Sequence, residues 1–223
     1  EPLSNMHAKL RAELSRELKQ WHHDLGATMV HVRHDQIEAM TLATRIAVMR
    51  AGKIQQFDTP DRVYAQPSNM FVAGFLGSPS MNFVRGQLRR EGARVRFESP
   101  ALRADVSGYA FAEPPVDAQA AVLGIRPEHL RQAAPEAPHN NARAIVGLIE
   151  PMGANKIAWL DAQGTPLAMQ TDPQAELTSG AAVPARSRFG ISGRMDTGLV
   201  EAVAAPKASV AGPEPVAVHR LSA

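Results

Sequence analysis

VHVRHDQIEAM, residues 30–40, contains the change of period on which the reading of the fold turns. TMVHV, residues 28–32, is short and β-branched and reads as a strand, whereas the pattern from Gln36 to about Ala43 is helical. His34 stands at the join. A strand, a polar residue and a helix in that order present a side chain at the C-terminal edge of an α/β sheet, where ligands tend to bind. Position alone leaves His34 with two readings. It either meets a phosphate or a water, or it caps the helix and hydrogen-bonds a neighbouring loop.

Upstream of this junction Leu10, Leu14, Leu18, Trp21 and Leu25 recur at spacings of three and four, a stripe expected to face a core. Gly26 supplies the helix stop. Downstream, RIAVMRAGKIQQF (45–57) sets two apolar runs around Ala51-Gly52, which reads as a hairpin. Pro60 and Asp61 favour the first turn of a short helix, and NMFVAGFLG (69–77) has a second helical pattern. These features make residues 1–77 an α/β unit.

Composition changes at GSPSMNF, residues 77–83. Short strand-like runs follow, separated by Gly, Pro and Asp clusters: VRGQLRR, ARVRFES, AAVLGIR, ARAIVGLIE, KIAWLDA, PLAMQT and SRFGIS. That rhythm predicts a small all-β barrel or sandwich over residues 78–205. From Pro206 to Ala223 the chain is rich in Ala, Pro and Val with little periodicity, and a mobile tail is expected.

Composition bounds the function classes. With 44% hydrophobic residues the 223-residue chain can bury a core, and a formal charge of +2 is too small to argue for nucleic acid by itself. The absence of cysteine excludes a disulfide framework and thiolate metal sites. No apolar stretch approaches the roughly 20 residues that span a bilayer. His7, His22, His23 and His31 have no clear zinc spacing, so no metal site is expected. Arg85, Arg89, Arg90, Arg94 and Arg96 form a basic region that an OB-like barrel could turn toward nucleic acid, but few aromatics interleave with it and a solvated face is the expectation.

EPLSNMHAKLR, the helix and strand after it, and VRHDQIEAMTLATRIAVMRAGKIQQFDTPDRVYAQPSNMFVAGFLGSPSMNF resemble, in order and spacing, the latter part of an ABC transporter ATPase of the sugar and glycerol-3-phosphate importer class. LGIRPEHL, residues 123–130, resembles a recurrent element of that family's C-terminal regulatory domain. The resemblance implies an α/β remnant of a P-loop nucleotide-binding domain, residues 1–77, followed by an all-β OB-like (TOBE-type) regulatory barrel. It implies that Glu1 is the carboxylate polarising the attacking water and that His34 contacts the γ-phosphate. Ser4, Asn5, Met6 and His7 would lie on the loop that reaches across the ATPase dimer. ATP and Mg²⁺ are the implied cofactors. The implied partners are a second ATPase subunit, membrane permease subunits and, indirectly, an external solute-binding protein, with no nucleic acid. The implied location is peripheral, on the cytoplasmic side of the bacterial inner membrane.

Phosphoryl transfer to water also needs a phosphate cradle and metal ligands. The 223 residues contain no G-x-x-x-x-G-K-[ST] loop, and their one Gly-Lys pair, Gly52-Lys53, lies in the hairpin pattern. The glutamine loop, the LSGGQ-like signature and the Asp that precedes the catalytic Glu in the family are absent as well. The chain opens at Glu1, not at methionine, so a fragment or a processed product is expected, inactive alone. Its alternative roles are a non-enzymatic dimerisation or regulatory fragment, or a nucleic-acid-binding barrel. Four positions depart from the family pattern: His7 for Asp, Arg33 for Thr, Thr44 for Asp and Asp58 for Gly. The last would cost backbone freedom if its turn required positive φ.

Overall fold

A computed structural model describes residues 8–33, 36–109, 111, 114–132, 141–187, 200–202 and 216–221. The chain divides into two compact units, Glu1–Gly77 with Ala208–Ala223, and Ser78–Lys207.

The first unit contains α1 (Ala8–Leu25), β1 (Met29–Arg33), α2 (Gln36–Leu42), β2 (Arg45–Arg50), β3 (Lys53–Asp58), α3 (Pro60–Ala65) and α4 (Met70–Phe75). A last strand, β14 (Val216–Leu221), completes its sheet, whose order is β1-β14-β2-β3. Residues 216–221 were expected in a mobile tail, yet they form an interior strand. β14 is antiparallel to both neighbours, so β1 and β2 run parallel to each other. The β2–β3 hairpin turns through Ala51 and Gly52 at φ 48° and 74°, with Arg50 opposite Lys53. Positive φ at both turn residues matches the right-handed twist of the flanking strands. Ile46, Val48, Ala39, Val63, Val72 and Leu76 form the buried cluster of this unit.

The α1 stripe departs from expectation. Leu14 and Leu18 are half-buried, but Leu10, Trp21 and Leu25 are exposed, Leu25 at 70%. Periodicity reports that a helix has an apolar face, and whether that face is covered depends on what else is present to pack on it.

The second unit contains β4 (Asn82–Glu91), β5 (Arg94–Glu98), β6 (Arg103–Asp105), β7 (Gln119–Ile125), a 3-10 turn (Pro127–His129), β8 (Leu130–Gln132), β9 (Asn141–Pro151), β10 (Lys156–Ala162), β11 (Thr165–Thr171), β12 (Ala182–Ser187) and β13 (Val200–Ala202). These form two antiparallel five-stranded sheets, β13-β7-β4-β5-β6 and β11-β10-β9-β12-β8. The expected barrel is thus built as two sheets around one core. Alternation supplies that core: Val84, Leu88 and Phe97 come from one sheet, and Val146, Leu160 and Met169 from the other. The strand expected at 187–192 lies at 182–187, and residues 188–192 fall outside the described set. Pro184 hid it, since proline is disfavoured inside a sheet. β8 pairs with β12 over residues 185–187, and Pro184 pairs with Arg143 of β9, with no partner on its other side among the described residues.

Candidate functional site at the strand-to-helix junction and the paired sheets

His34 follows the last residue of β1 and precedes α2 by two positions. It lies outside the described residues, as do Glu1, Ser4, Asn5, Met6 and His7, so the described structure brings none of the expected catalytic or interface groups together. What is described is their frame. The backbone of β1 is paired with β14 up to Arg33, opposite Ala217. Gln36, the first residue of α2, accepts a hydrogen bond on Oε1 from the Gly77 N–H at 3.0 Å. Lys19 Nζ donates to the Thr41 carbonyl at 3.3 Å and ties α1 to the same helix.

Side chains around β3 organise the rest of this unit. Gln56 donates through Nε2 to the Gln66 carbonyl at 3.0 Å and accepts on Oε1 from the Ser68 N–H at 2.7 Å. Asn69 caps α4 by accepting from the Val72 N–H at 2.9 Å. The Arg50 guanidinium lies 4.8 Å from the centre of the Phe71 ring. Asp58 is not among the described residues with positive φ, so its replacement of glycine carries no backbone penalty there. Its carboxylate accepts from the Thr59 N–H at 2.8 Å and meets Arg62 at 3.4 Å. His22 is buried while its neighbour His23 is exposed, so the pair does not converge on one ion, and no group of three or more His, Asp or Glu suited to a metal occurs among the described residues.

In the second unit Asn82 joins the two sheets. Its Nδ2 donates to the Ala168 carbonyl at 2.8 Å, and its Oδ1 accepts from the Ala168 N–H at 2.7 Å. The amide thereby imitates a strand residue, bonding β4 to β11 across 86 positions of sequence, in a place where water is excluded. The sequence reading missed it. Its one signal was a polar residue at the head of an otherwise alternating strand. LGIRPEHL runs from the end of β7 through the 3-10 turn into β8, passing from one sheet to the other. Arg126 within it is fully buried, and the His129 N–H donates to the Arg126 carbonyl at 2.9 Å.

The basic row on β4 and β5 is interleaved with acids. Arg89 meets Glu98 at 3.8 Å and Asp117 at 3.7 Å, and Arg96 meets Glu91 at 3.5 Å. Tyr109 and Phe111 pack edge-to-face on each other and against the core, so they offer no open stacking platform. This is a solvated, ion-paired face. At its edge the Ser107 hydroxyl, 2.6 Å from Asp105, holds that carboxyl below the usual carboxylate range; partial burial opposes the effect, and the Ser107 N–H, Arg94 and Arg96 reinforce it.

Two family models match this part of the chain, a MalK OB fold domain at residues 77–130 and a TOBE domain at residues 123–188. They overlap on LGIRPEHL, the connection between the sheets. The second unit is therefore an OB-fold and TOBE tandem. Curated relatives extend the likeness over most of the chain. The trehalose import ATP-binding protein SugC of Mycobacterium tuberculosis (strain H37Rv) is 38% identical over 86% of this chain and 52% of its own length. The sn-glycerol-3-phosphate import ATP-binding protein UgpC 1 of Rhizobium johnstonii is 41% identical over 81% of this chain and 47% of its own. The sulfoquinovosyl glycerol transport ATP-binding protein SmoE of Agrobacterium fabrum is 38% identical over 80% and 49%. The chain belongs to this family of ABC importer ATP-binding proteins and corresponds to their C-terminal part. It spans about half the length of the curated relatives it matches. Among solved structures, the molybdate-bound form of the cytoplasmic molybdate-binding protein ModG matches 53% of this chain and 94% of its own, with a TM-score of 0.38 and 16% identity, too low to carry over even a fold. No described helix is long and apolar enough to cross a membrane.

Proposed function

We propose that the chain is the C-terminal part of the ATP-hydrolysing subunit of an ABC importer for sugars or related solutes. Residues 1–77 belong on this reading to the nucleotide-binding domain, and residues 78–205 are its OB-like regulatory domain. The supporting observation is the order of features: the junction at His34, the hairpin and the α3–α4 segment run directly into an OB-fold and TOBE tandem, in a chain 38% and 41% identical to import ATP-binding relatives. His34 supplies the γ-phosphate contact, Glu1 polarises the attacking water, and Ser4, Asn5, Met6 and His7 face the second ATPase subunit. ATP and Mg²⁺ need the phosphate-cradling loop and the acidic ligand that these 223 residues lack. The assembled protein works as a homodimer on permease subunits at the cytoplasmic face of the membrane.

Two measurements test this. The 223-residue chain alone should show no saturable ATP binding up to millimolar nucleotide. In a polypeptide joined to the N-terminal half of a related import ATP-binding protein, His34→Ala should lower the hydrolysis rate by about 100-fold, the scale of losing one positioned charge-stabilising contact. Tight ATP binding by the isolated chain, or hydrolysis indifferent to His34, contradicts the reading. A second reading, a non-enzymatic regulatory fragment, is favoured by where the core lies: among the described residues the second unit's cluster contains twenty-one buried apolar residues and the first unit's six.

A further inference from the structure

Only His34 and Asp35 separate the last residue of β1 from the first residue of α2. Whatever fixes α2 therefore fixes one end of the backbone that carries His34. α2 has seven residues, well short of the roughly 12–15 at which a helix in water is even marginally stable, so tertiary ties must hold it. Packing does so through Ala39, buried in one cluster with Val72 and Leu76. Lys19 Nζ reaches the Thr41 carbonyl near the C-terminal end of the helix. At the N-terminal end the tie is polar, with Gln36 Oε1 accepting from the Gly77 N–H at 3.0 Å across 41 positions of sequence.

Gly77 stands at a particular place. It is the residue before Ser78, where the second unit begins. Leu76 on one side is fully buried, and Ser78 on the other is exposed. The φ of Gly77, 113°, lies where glycine is favoured, so the chain turns out of the core on a residue with no side chain to anchor it. The N–H is the group left to hold, and Gln36 holds it.

We propose that Gln36 is a positioning residue: its amide ties the junction that carries His34 to the point where the chain leaves for the OB-fold and TOBE tandem. The bond joins the side chain of the first helical residue to the backbone of the last residue before the second unit, so a shift at either end stretches it. The coupling is reciprocal. What loosens Gly77 loosens the start of α2, and the reverse. A leucine at position 36 would occupy similar space and support a helix as well, but it would offer no acceptor. The effect on hydrolysis rests on the importer reading, whereas the tie between Gln36 and Gly77 does not.

Two readouts test this. In the 223-residue chain, Gln36→Leu should raise hydrogen exchange at the Gly77 amide roughly 10-fold, while Gln36→Glu, which keeps an acceptor oxygen, should leave it protected. In the polypeptide joined to the N-terminal half of a related import ATP-binding protein, Gln36→Leu should lower kcat about 10-fold at unchanged KM for ATP, and Gln36→Glu should restore it. Added to His34→Ala, Gln36→Leu should cause no further loss, because it acts through His34. Unchanged exchange at Gly77 overturns the proposal, as does a loss that adds in full to that of His34→Ala. If His34→Ala itself leaves hydrolysis unchanged, the importer reading fails and the role of Gln36 in catalysis fails with it. An indifferent Gln36→Leu beside a damaging His34→Ala removes the positioning role alone.

Discussion

The two units solve the same problem from similar material with different success. In the second, two five-stranded sheets close on each other, and Phe97, Leu123, Leu167 and Met169 are essentially inaccessible to solvent. In the first, a four-stranded sheet and four helices leave Leu10, Trp21, Leu25, Val30, Val32, Ile54 and Phe57 exposed beside a small buried cluster, whereas the second unit, with Val116, Ile145, Leu148, Met152 and Trp159 exposed, also encloses a much larger core. Alternating or helical apolar patterns are present in both. The difference teaches that amphipathic pattern specifies a face, and only a second layer turns that face into a core. Large apolar side chains left on a surface mark places where another layer can pack.

Substitutions can break this contrast, and the largest effects should fall in the second unit. Phe97→Ala removes a fully buried ring and should cost about 3–5 kcal/mol, seen as a fall in the higher of two melting transitions. Gly86→Val should approach this, because a Cβ at Gly86 would stand 2.6 Å from the Phe97 ring and still closer to the Glu98 carbonyl. Asn82→Ala leaves the Ala168 N–H and carbonyl buried without partners and should cost about 2–4 kcal/mol in urea unfolding, with the slope unchanged. In the first unit, Ala51→Asn should stabilise the hairpin by about 1 kcal/mol, because asparagine tolerates the positive φ that alanine resists. Trp21→Gln and Leu25→Gln should move stability by less than about 0.5 kcal/mol while reducing light scattering on concentration, since both side chains already face solvent.

The smallest effect concerns Asp105. Its carboxyl is held below its unfolded value, so its contribution is fully present above the ordinary carboxylate range and is lost as pH falls through the lowered folded value. Ser107→Ala should weaken that acid-side slope, leaving what the Ser107 N–H, Arg94 and Arg96 contribute, and solvent screening keeps the change small. An unchanged acid limb in Ser107→Ala would remove the hydroxyl as its cause.

Much of the local structure was legible. Ala51-Gly52 between apolar runs gave the hairpin, Pro60-Asp61 opened α3, and the alternating runs from residue 84 to 171 became strands. The misses have one physical character, since each depends on a partner far along the chain. β14 is paired on both sides, by β1 and β2, and VAVHRL in its Pro- and Ala-rich setting carries no sign of either partner. β12 lay across a proline, Pro184, which pairs with Arg143 of β9. Asn82 looked like a strand-opening polar residue until Ala168 was brought beside it. The candidate site residues Glu1, Ser4, Asn5, Met6, His7 and His34 rest on resemblance alone, because all of them lie outside the described residues.

The most direct test of the contrast is calorimetry of the full chain beside residues 78–207 alone. Expected are two transitions in the full chain, with the higher one reproduced at the same temperature by the isolated segment. A single sharp transition in the full chain, or an isolated segment that does not fold, would contradict the view of a self-sufficient OB-fold and TOBE unit joined to an α/β unit that needs another layer.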